Sequence, residues 1–244
     1  ESVSFLSCKY IRPQKHGIVK RVSGQTADQT MKILKELWKD NPIPDVIKAD
    51  NDSAFGSYYS HDICIGRLVL FFLNLGITPL YIAPRSPWNN GENEGFNSVF
   101  SKKFWNKLQF TNEDEIDVKI KDFNIAYEKY SNLISNNPET DSNEKYINDF
   151  KNINLENKYV KKFKTHIIYF LRIVRRKNEK GSDKEYGFIE ILYHEIKIPK
   201  KFINLFVFCT LDLKSKKLTI CSELDNGSLK EIKSIKFKIK NIKY

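Results

Sequence analysis

Hydrophobic and polar positions follow two rhythms along this chain, and the rhythm changes partway. Ser2 to Ile11 and Gly17 to Ser23 are rich in β-formers, with the turn-like Arg12-Pro13-Gln14-Lys15-His16-Gly17 between them. The pair predicts a β-hairpin. Thr26-Ala27-Asp28-Gln29 has the form of a capping box. It opens a helix with Met31, Ile33, Leu34, Leu37 and Trp38 on its apolar side, stopped by Asn41-Pro42-Ile43-Pro44. Asp45 to Asp50 reads as a short strand buried at Val46, Ile47 and Ala49. His61 to Leu75 has helical spacing through Cys64, Leu68, Phe71, Phe72 and Leu75, and Gly76 suits the left-handed residue after a helix. Ile77 to Ile82 is the next strand, with Pro79 marking a strand start or an edge. A loop over 84–91, rich in Pro, Asn and Gly, leads into a helix with Phe96, Val99, Phe100, Phe104 and Leu108 at spacings of three and four. Another helix runs from about Glu113 to Leu133 through Ile116, Ile120, Phe123, Ala126, Tyr127 and Tyr130.

This alternation predicts an α/β fold with a mixed sheet. Residues 134–160 are polar and Asn-rich around Pro138, and read as a linker with one short helix. From Ile167 the period shifts to strands: Ile167–Val174, Gly187–Leu192, Phe206–Leu211, Leu218–Cys221 and Ile235–Ile239. Turn chemistry recurs at Lys180-Gly181-Ser182-Asp183 and Asp225-Asn226-Gly227. Short strands at this density predict a small all-β barrel of SH3-like type. The resulting plan has three parts: a core over 1–133, a linker over 134–162 and a β-module over 163–244.

Composition narrows the picture. Apolar residues make up 41% of 244, including 17 Phe and 12 Tyr, enough for a substantial core. No run of about 18 apolar residues suggests a membrane span. The opening Glu1-Ser2-Val3-Ser4-Phe5 does not read as a signal peptide, and suggests that further sequence lies upstream. Cys8, Cys64, Cys209 and Cys221 are widely separated and form no ligand pattern with His16, His61, His166 or His194. Scattered thiols in a reducing compartment fit better than a zinc site. Charge is uneven. Residues 1–150 hold 18 Lys and Arg against 20 Asp and Glu, whereas 151–244 hold 23 against 10. A basic module beside a near-neutral one fits DNA binding, and a solvated lysine-rich surface is the plainer alternative.

Two carboxylates carry the candidate chemistry. Asp50 ends the apolar run Val46-Ile47-Lys48-Ala49, and Glu94 stands at the head of a helix after Pro87-Trp88-Asn89-Asn90-Gly91. Carboxylates at a strand end and a helix start suit a hard divalent cation of the kind used in phosphodiester chemistry. Asp50 also suits a turn, and Glu94 or Glu92 could merely offset a helix dipole. On a helix Glu92 and Glu94 point about 200° apart, so one of them faces a given site.

Three segments in order resemble the catalytic core of the retroviral-integrase and DDE-transposase superfamily. They are Ala49-Asp50-Asn51-Asp52-Ser53-Ala54-Phe55, Leu75-Gly76-Ile77, and Ala83-Pro84-Arg85-Ser86-Pro87-Trp88-Asn89-Asn90-Gly91-Glu92-Asn93-Glu94. The resemblance covers roughly residues 1–130. It implies an RNase H-like mixed sheet flanked by helices, and metal-dependent DNA cleavage and strand transfer. Asp50 and Glu94 would be the catalytic and metal-ligating residues for Mg²⁺ or Mn²⁺, and Asp52 is the rival to Asp50. The interval between them, residues 51 to 93, is longer than in retroviral integrases. The family's first Asp finds no match in this chain and is expected upstream or lost. The resemblance also implies duplex DNA as partner, a homo-oligomer, and a place at the nucleoid of the cytoplasm or in a eukaryotic nucleus. Candidate DNA contacts are Asn51, Trp88, Asn89, Asn90, Asn97, Lys102, Lys103, Arg172, Arg175 and Arg176. Trp88 suits a sugar or base as well as a core plug, and the lysines suit phosphate or plain solvent. A DNA-binding remnant without catalysis and an RNase H-like nuclease are the alternatives.

Overall fold

A computed structural model of the protein describes residues 3–11, 16–24, 26–50, 65–135, 150, 162–181, 183–237 and 239. The fold is mixed α/β, with helices and several sheets. The chain divides into two units, Glu1–Pro42 with Pro87–Asn148, and Ile43–Ser86 with Asp149–Tyr244. This division differs from the three-part plan read along the sequence. Residues 43–86 group with the C-terminal part and not with their sequence neighbours.

In the first unit, strands β1 (Ser4–Tyr10) and β2 (His16–Val22) form the expected hairpin, paired from Ser4↔Val22 to Tyr10↔His16. Helix α1 (Ala27–Leu37) starts where the cap predicts, with Thr26 Oγ1 accepting from the Gln29 N–H at 3.3 Å. Helix α3 (Gly91–Phe100) runs into a wide π turn over Ser101–Trp105, closed by the Asn106 N–H on the Ser101 carbonyl at 2.9 Å. Helix α4 (Glu113–Ser135) is capped by Asn112, whose Oδ1 accepts from the Glu115 N–H at 2.9 Å. The inward stripe of α4 follows Ile116, Ile120, Phe123 and Tyr127. Ala126 and Tyr130, read as part of that stripe, lie on its flank, and Tyr130 is 57% exposed. Val19, Phe96, Phe100, Phe104, Ile116 and Ile120 form the core. Polar bonds fix the hairpin on α4: the Asn124 amide bonds both the N–H and the carbonyl of Val19 (2.9 and 3.0 Å), and Arg21 grips Asp117 with two bonds of 3.0 and 2.8 Å.

The second unit is built on a six-stranded sheet ordered β11-β10-β9-β5-β4-β3. Its members are β3 (Val46–Ala49), β4 (Thr78–Tyr81), β5 (Ile167–Ile173), β9 (Phe206–Asp212), β10 (Lys217–Glu223) and β11 (Leu229–Lys236). The β3–β4 and β4–β5 pairs are parallel and the other pairs antiparallel. Helix α2 (Arg67–Leu75) ends at Gly76, whose φ of +90° is the left-handed stop its sequence position predicts. The beginning of the helix expected from His61 lies outside the described residues. Pro79 is the second residue of β4, and the ladder to β5 covers only the pairs after it, Leu80↔Tyr169 and Tyr81↔Phe170. Val46, expected in the core, is 48% exposed, because β3 is the end strand of the sheet.

The strands of the C-terminal part do not close a barrel among the described residues. The physical reason is the parallel pairing of β5 with β4, which extends these strands into an open sheet. Strands β6 (Arg175–Asn178), β7 (Glu185–Ile191) and β8 (His194–Ile198) form a separate antiparallel sheet. Gly187 is required there: an added Cβ would lie 2.6 Å from Val174 Cγ1 and 3.0 Å from the Ile198 carbonyl oxygen. Among the described residues no helix is long and apolar enough to cross a membrane.

The β7–β8 turn has two residues, Leu192 and Tyr193, between the pair Ile191↔His194. Both have positive φ, +46° and +62°. Such turns favour Asn-Gly, and the left-handed region costs an ordinary residue about 1–2 kcal/mol. Replacing Leu192-Tyr193 by Asn-Gly is expected to raise the unfolding free energy by about 1 kcal/mol. A denaturant midpoint that stays level or falls would contradict this.

Candidate active site

Asp50 follows the last residue of β3. The parallel register places Ala49 opposite Tyr81, and the Ile82 N–H donates to the Ala49 carbonyl at 3.1 Å. Asp50 therefore starts where the β3–β4 ladder ends, at the carboxyl end of a parallel strand, and it is exposed. Ligands in open α/β sheets gather at this end of the strands. Beneath it Tyr81 stacks on Phe170, with centroids 5.5 Å apart, and burial pushes the Tyr81 hydroxyl pKa upward. Asn51 and Asp52 lie outside the described residues.

Glu94 sits in the other unit, in the first turn of α3 together with Glu92. Both are exposed. Asn90 caps α3 without a side-chain bond to the helix. The helix is phased by its phenylalanines: Phe96, Phe100 and Phe104 are buried, with Phe100 and Phe104 stacked at 5.0 Å. Phe96 lies so close to Gly17 of β2 that an added Cβ would meet its ring at 2.5 Å. The Phe96 ring is also held by Tyr127 at 4.6 Å. Gly17→Ala is therefore expected to cost about 1–3 kcal/mol, as overpacking does, and to displace the start of α3. Thermal unfolding measures it, and an unchanged midpoint would show that the ring yields freely.

The other candidates divide by location. Trp88 lies in the 3₁₀ turn Pro87–Asn90 and is 66% exposed, so it does not plug the core. Asn89, Asn90 and Asn97 are half-buried. Lys102 and Lys103 are exposed on the π turn. Asn93, which sequence reasoning passed over, shares the four-residue spacing of Asn89 and Asn97. Its Nδ2 lies 3.5 Å from Ser7 Oγ on β1. Among the described residues Asn93 Oδ1 and Asn89 Nδ2 are buried without a hydrogen-bond partner, which makes a polar seam from the 3₁₀ turn into the helix that carries Glu94.

Arg175 and Arg176 are exposed on β6, and each has a carboxylate neighbour. Arg175 lies 3.8 Å from Glu190 and over the Phe188 ring, and Arg176 lies 3.2 Å from Glu185. Phosphate would have to compete with these partners. Arg172 departs from expectation. It is 7% exposed, and its guanidinium bonds the carbonyls of Ile82, Leu171 and Glu190 at 3.0, 2.8 and 3.0 Å. A side chain facing the core and spent on backbone carbonyls does not offer a surface contact to phosphate. Alternation along β5 is the reason: Ile168, Phe170 and Arg172 share the buried face.

Exposed carboxylate oxygens at Asp50 and Glu94 are the hard donors that Mg²⁺ or Mn²⁺ accepts. Among the described residues no three or more His, Cys, Asp or Glu side chains gather into a metal-binding group. Burial pushes the Cys209 thiol up to about 12, so it stays protonated and is a poor ligand at neutral pH. No family model matches the chain, and no curated protein matches it.

Proposed function

We propose that this chain is the catalytic part of a DDE-type transposase or integrase, which cleaves DNA and transfers the freed strand into a target. The observation that carries the reading is the order of the three motifs together with their placement. Asp50 stands exposed at the carboxyl end of a parallel strand, and Glu94 stands exposed in the first turn of the helix after the Pro-Trp-Asn-Asn-Gly loop. The succession hairpin, α1, β3, α2, β4 and α3 supports the RNase H-like reading by its order alone, since the hairpin forms its own sheet and these elements are divided between the two units.

In this reading Asp50 and Glu94 would each offer a carboxylate to Mg²⁺ or Mn²⁺, which when bound would supply positive charge for displacement at phosphorus. Water opens a phosphodiester at the element end and leaves a 3′-hydroxyl. That hydroxyl then attacks a phosphodiester of the target, forming one bond as another breaks. Lys102 and Lys103 hold backbone phosphate without reading sequence, Asn97 approaches the same backbone, and exposed Trp88 stacks on a sugar or base. Joining two element ends calls for more than one copy of the chain.

The test is a strand-transfer assay with the full-length protein, Mn²⁺ and duplex ends taken from the DNA flanking its coding segment. Joined product that disappears with chelator supports the proposal. DNA binding without cleavage or joining, at any divalent-ion concentration, would overturn it.

A further inference from the structure

We propose that Arg172 is a positioning residue for Asp50, acting through the end of β4; this rests on the reading of Asp50 as a metal ligand. Arg172 comes from β5, in the C-terminal part of the chain, yet its Nη1 donates to the Ile82 carbonyl at 3.0 Å. Ile82 is the residue whose N–H donates to Ala49, immediately before Asp50, at 3.1 Å. One residue is thus bonded on one side to the backbone that presents the carboxylate and on the other to a buried guanidinium. The regular β4–β5 ladder has already ended at Tyr81↔Phe170, so the side chain continues the bracing where backbone pairing stops.

The remaining bonds fix the guanidinium itself. Nε donates to the Glu190 carbonyl on β7 at 3.0 Å, Nη1 also reaches the Leu171 carbonyl at 2.8 Å, and the group lies 5.0 Å from the centroid of the Phe170 ring. Its bonds therefore tie β5, β7 and the end of β4 together. Burying a cation is unfavourable unless its donors are met, and an apolar side chain would fill the same space without that penalty. What an apolar side chain cannot do is hold a carbonyl beyond the last ladder pair. The planar fork of arginine spans several acceptors at once, which lysine does not. Arg172 does not reach substrate or cation in this scheme. Its effect is to set the position of the backbone from which Asp50 projects.

The test uses the full-length protein and two readouts, amide exchange at Ile82 and Mn²⁺ affinity. In Arg172→Met the Ile82 amide is expected to exchange about tenfold faster or more, with the Ile220 amide of β10 within about twofold of wild type, and Mn²⁺ affinity to fall about tenfold. Arg172→Lys, which keeps the charge and loses the fork, should fall between Arg172→Met and wild type. If Arg172→Met does not fold, Arg172→Lys decides alone. Asp50→Asn should abolish Mn²⁺ binding and leave Ile82 exchange unchanged. Unchanged Ile82 exchange in the Arg172 variants would overturn the brace. Faster exchange with undiminished Mn²⁺ affinity would overturn its positioning role. Absence of Mn²⁺ binding in the wild type, with Ile82 still responding to Arg172, would instead sink the metal-ligand reading of Asp50.

Discussion

Deleting residues 150–244 is expected to unfold the strand that carries Asp50, and not merely to remove positive charge. The sequence alone suggests the opposite, a detachable basic module. The six-stranded sheet decides the matter. Strand β4, which holds β3 in register, has β5 as its other neighbour, and β5 leads on to β9, β10 and β11. Val69, Leu70 and Leu73 of α2 are buried in one cluster with Ile168, Phe170, Ile189, Ile191, Cys209, Leu211, Leu218 and Ile220. Each large apolar side chain contributes about 1.5–3 kcal/mol when buried, as an upper estimate. Losing this many removes on the order of 10 kcal/mol or more, comparable with the whole stability of a domain. Hydrogen exchange on the truncated chain is the measurement. Amides from Leu70 in α2 to Ile77 just beyond its end should lose protection, while α4 keeps its own, because Phe96, Phe100, Ile116 and Ile120 form a core without the C-terminal part. Retained protection in α2 would restore the modular reading.

The elements set by local chemistry were legible in the sequence. Thr26 caps α1, Gly76 stops α2 with a positive φ, and the phenylalanines of α3 lie on its buried side. Each depends on residues within one or two turns of each other. What was not legible depends on pairing across long separations. Nothing near Tyr81 marks Phe170 as its neighbour, so the join between the β3–β4 pair and the C-terminal strands could not be read. Strand β6 is Arg175-Arg176-Lys177-Asn178, wholly exposed and without β-formers, and only its partner β7 makes it a strand. Strand β8 escaped because its turn is Leu192-Tyr193, apolar residues where Asn or Gly would have marked it. Strand β11 was placed too late, at Ile235, whereas it begins at Leu229. Its Lys230, Lys233 and Lys236 obscure the strand pattern, and on an end strand lysines discourage pairing with another chain. They also give part of the basic surplus a structural purpose of its own. In the candidate site, sequence placed Asp50 after a strand and Glu94 at a helix start. It misplaced Arg172, because burial of an arginine on one face of β5 follows from what packs against that face.

Asp50→Asn and Glu94→Gln are each expected to lower metal-dependent strand transfer by about a thousandfold or more while leaving the fold intact. Removing a group that stabilises charge in the transition state typically costs 10²–10³ in rate, about 2.7–4 kcal/mol, and loss of a bound cation would reach further. Stability should respond differently. Both carboxylates are exposed, so each substitution is expected to shift unfolding free energy by no more than about 0.5 kcal/mol. Glu92→Gln is the internal comparison. Glu92 shares the first turn of α3, so it shares whatever effect a negative charge has on the helix dipole. If dipole compensation were the whole role of Glu94, the two substitutions would behave alike. Ligation predicts that they part, with Glu92→Gln keeping activity within about tenfold of wild type because its side chain points about 200° away along the helix. Equal losses at Glu92 and Glu94, or full activity in Asp50→Asn, would remove the chemical basis of the proposed reaction even if DNA binding survived.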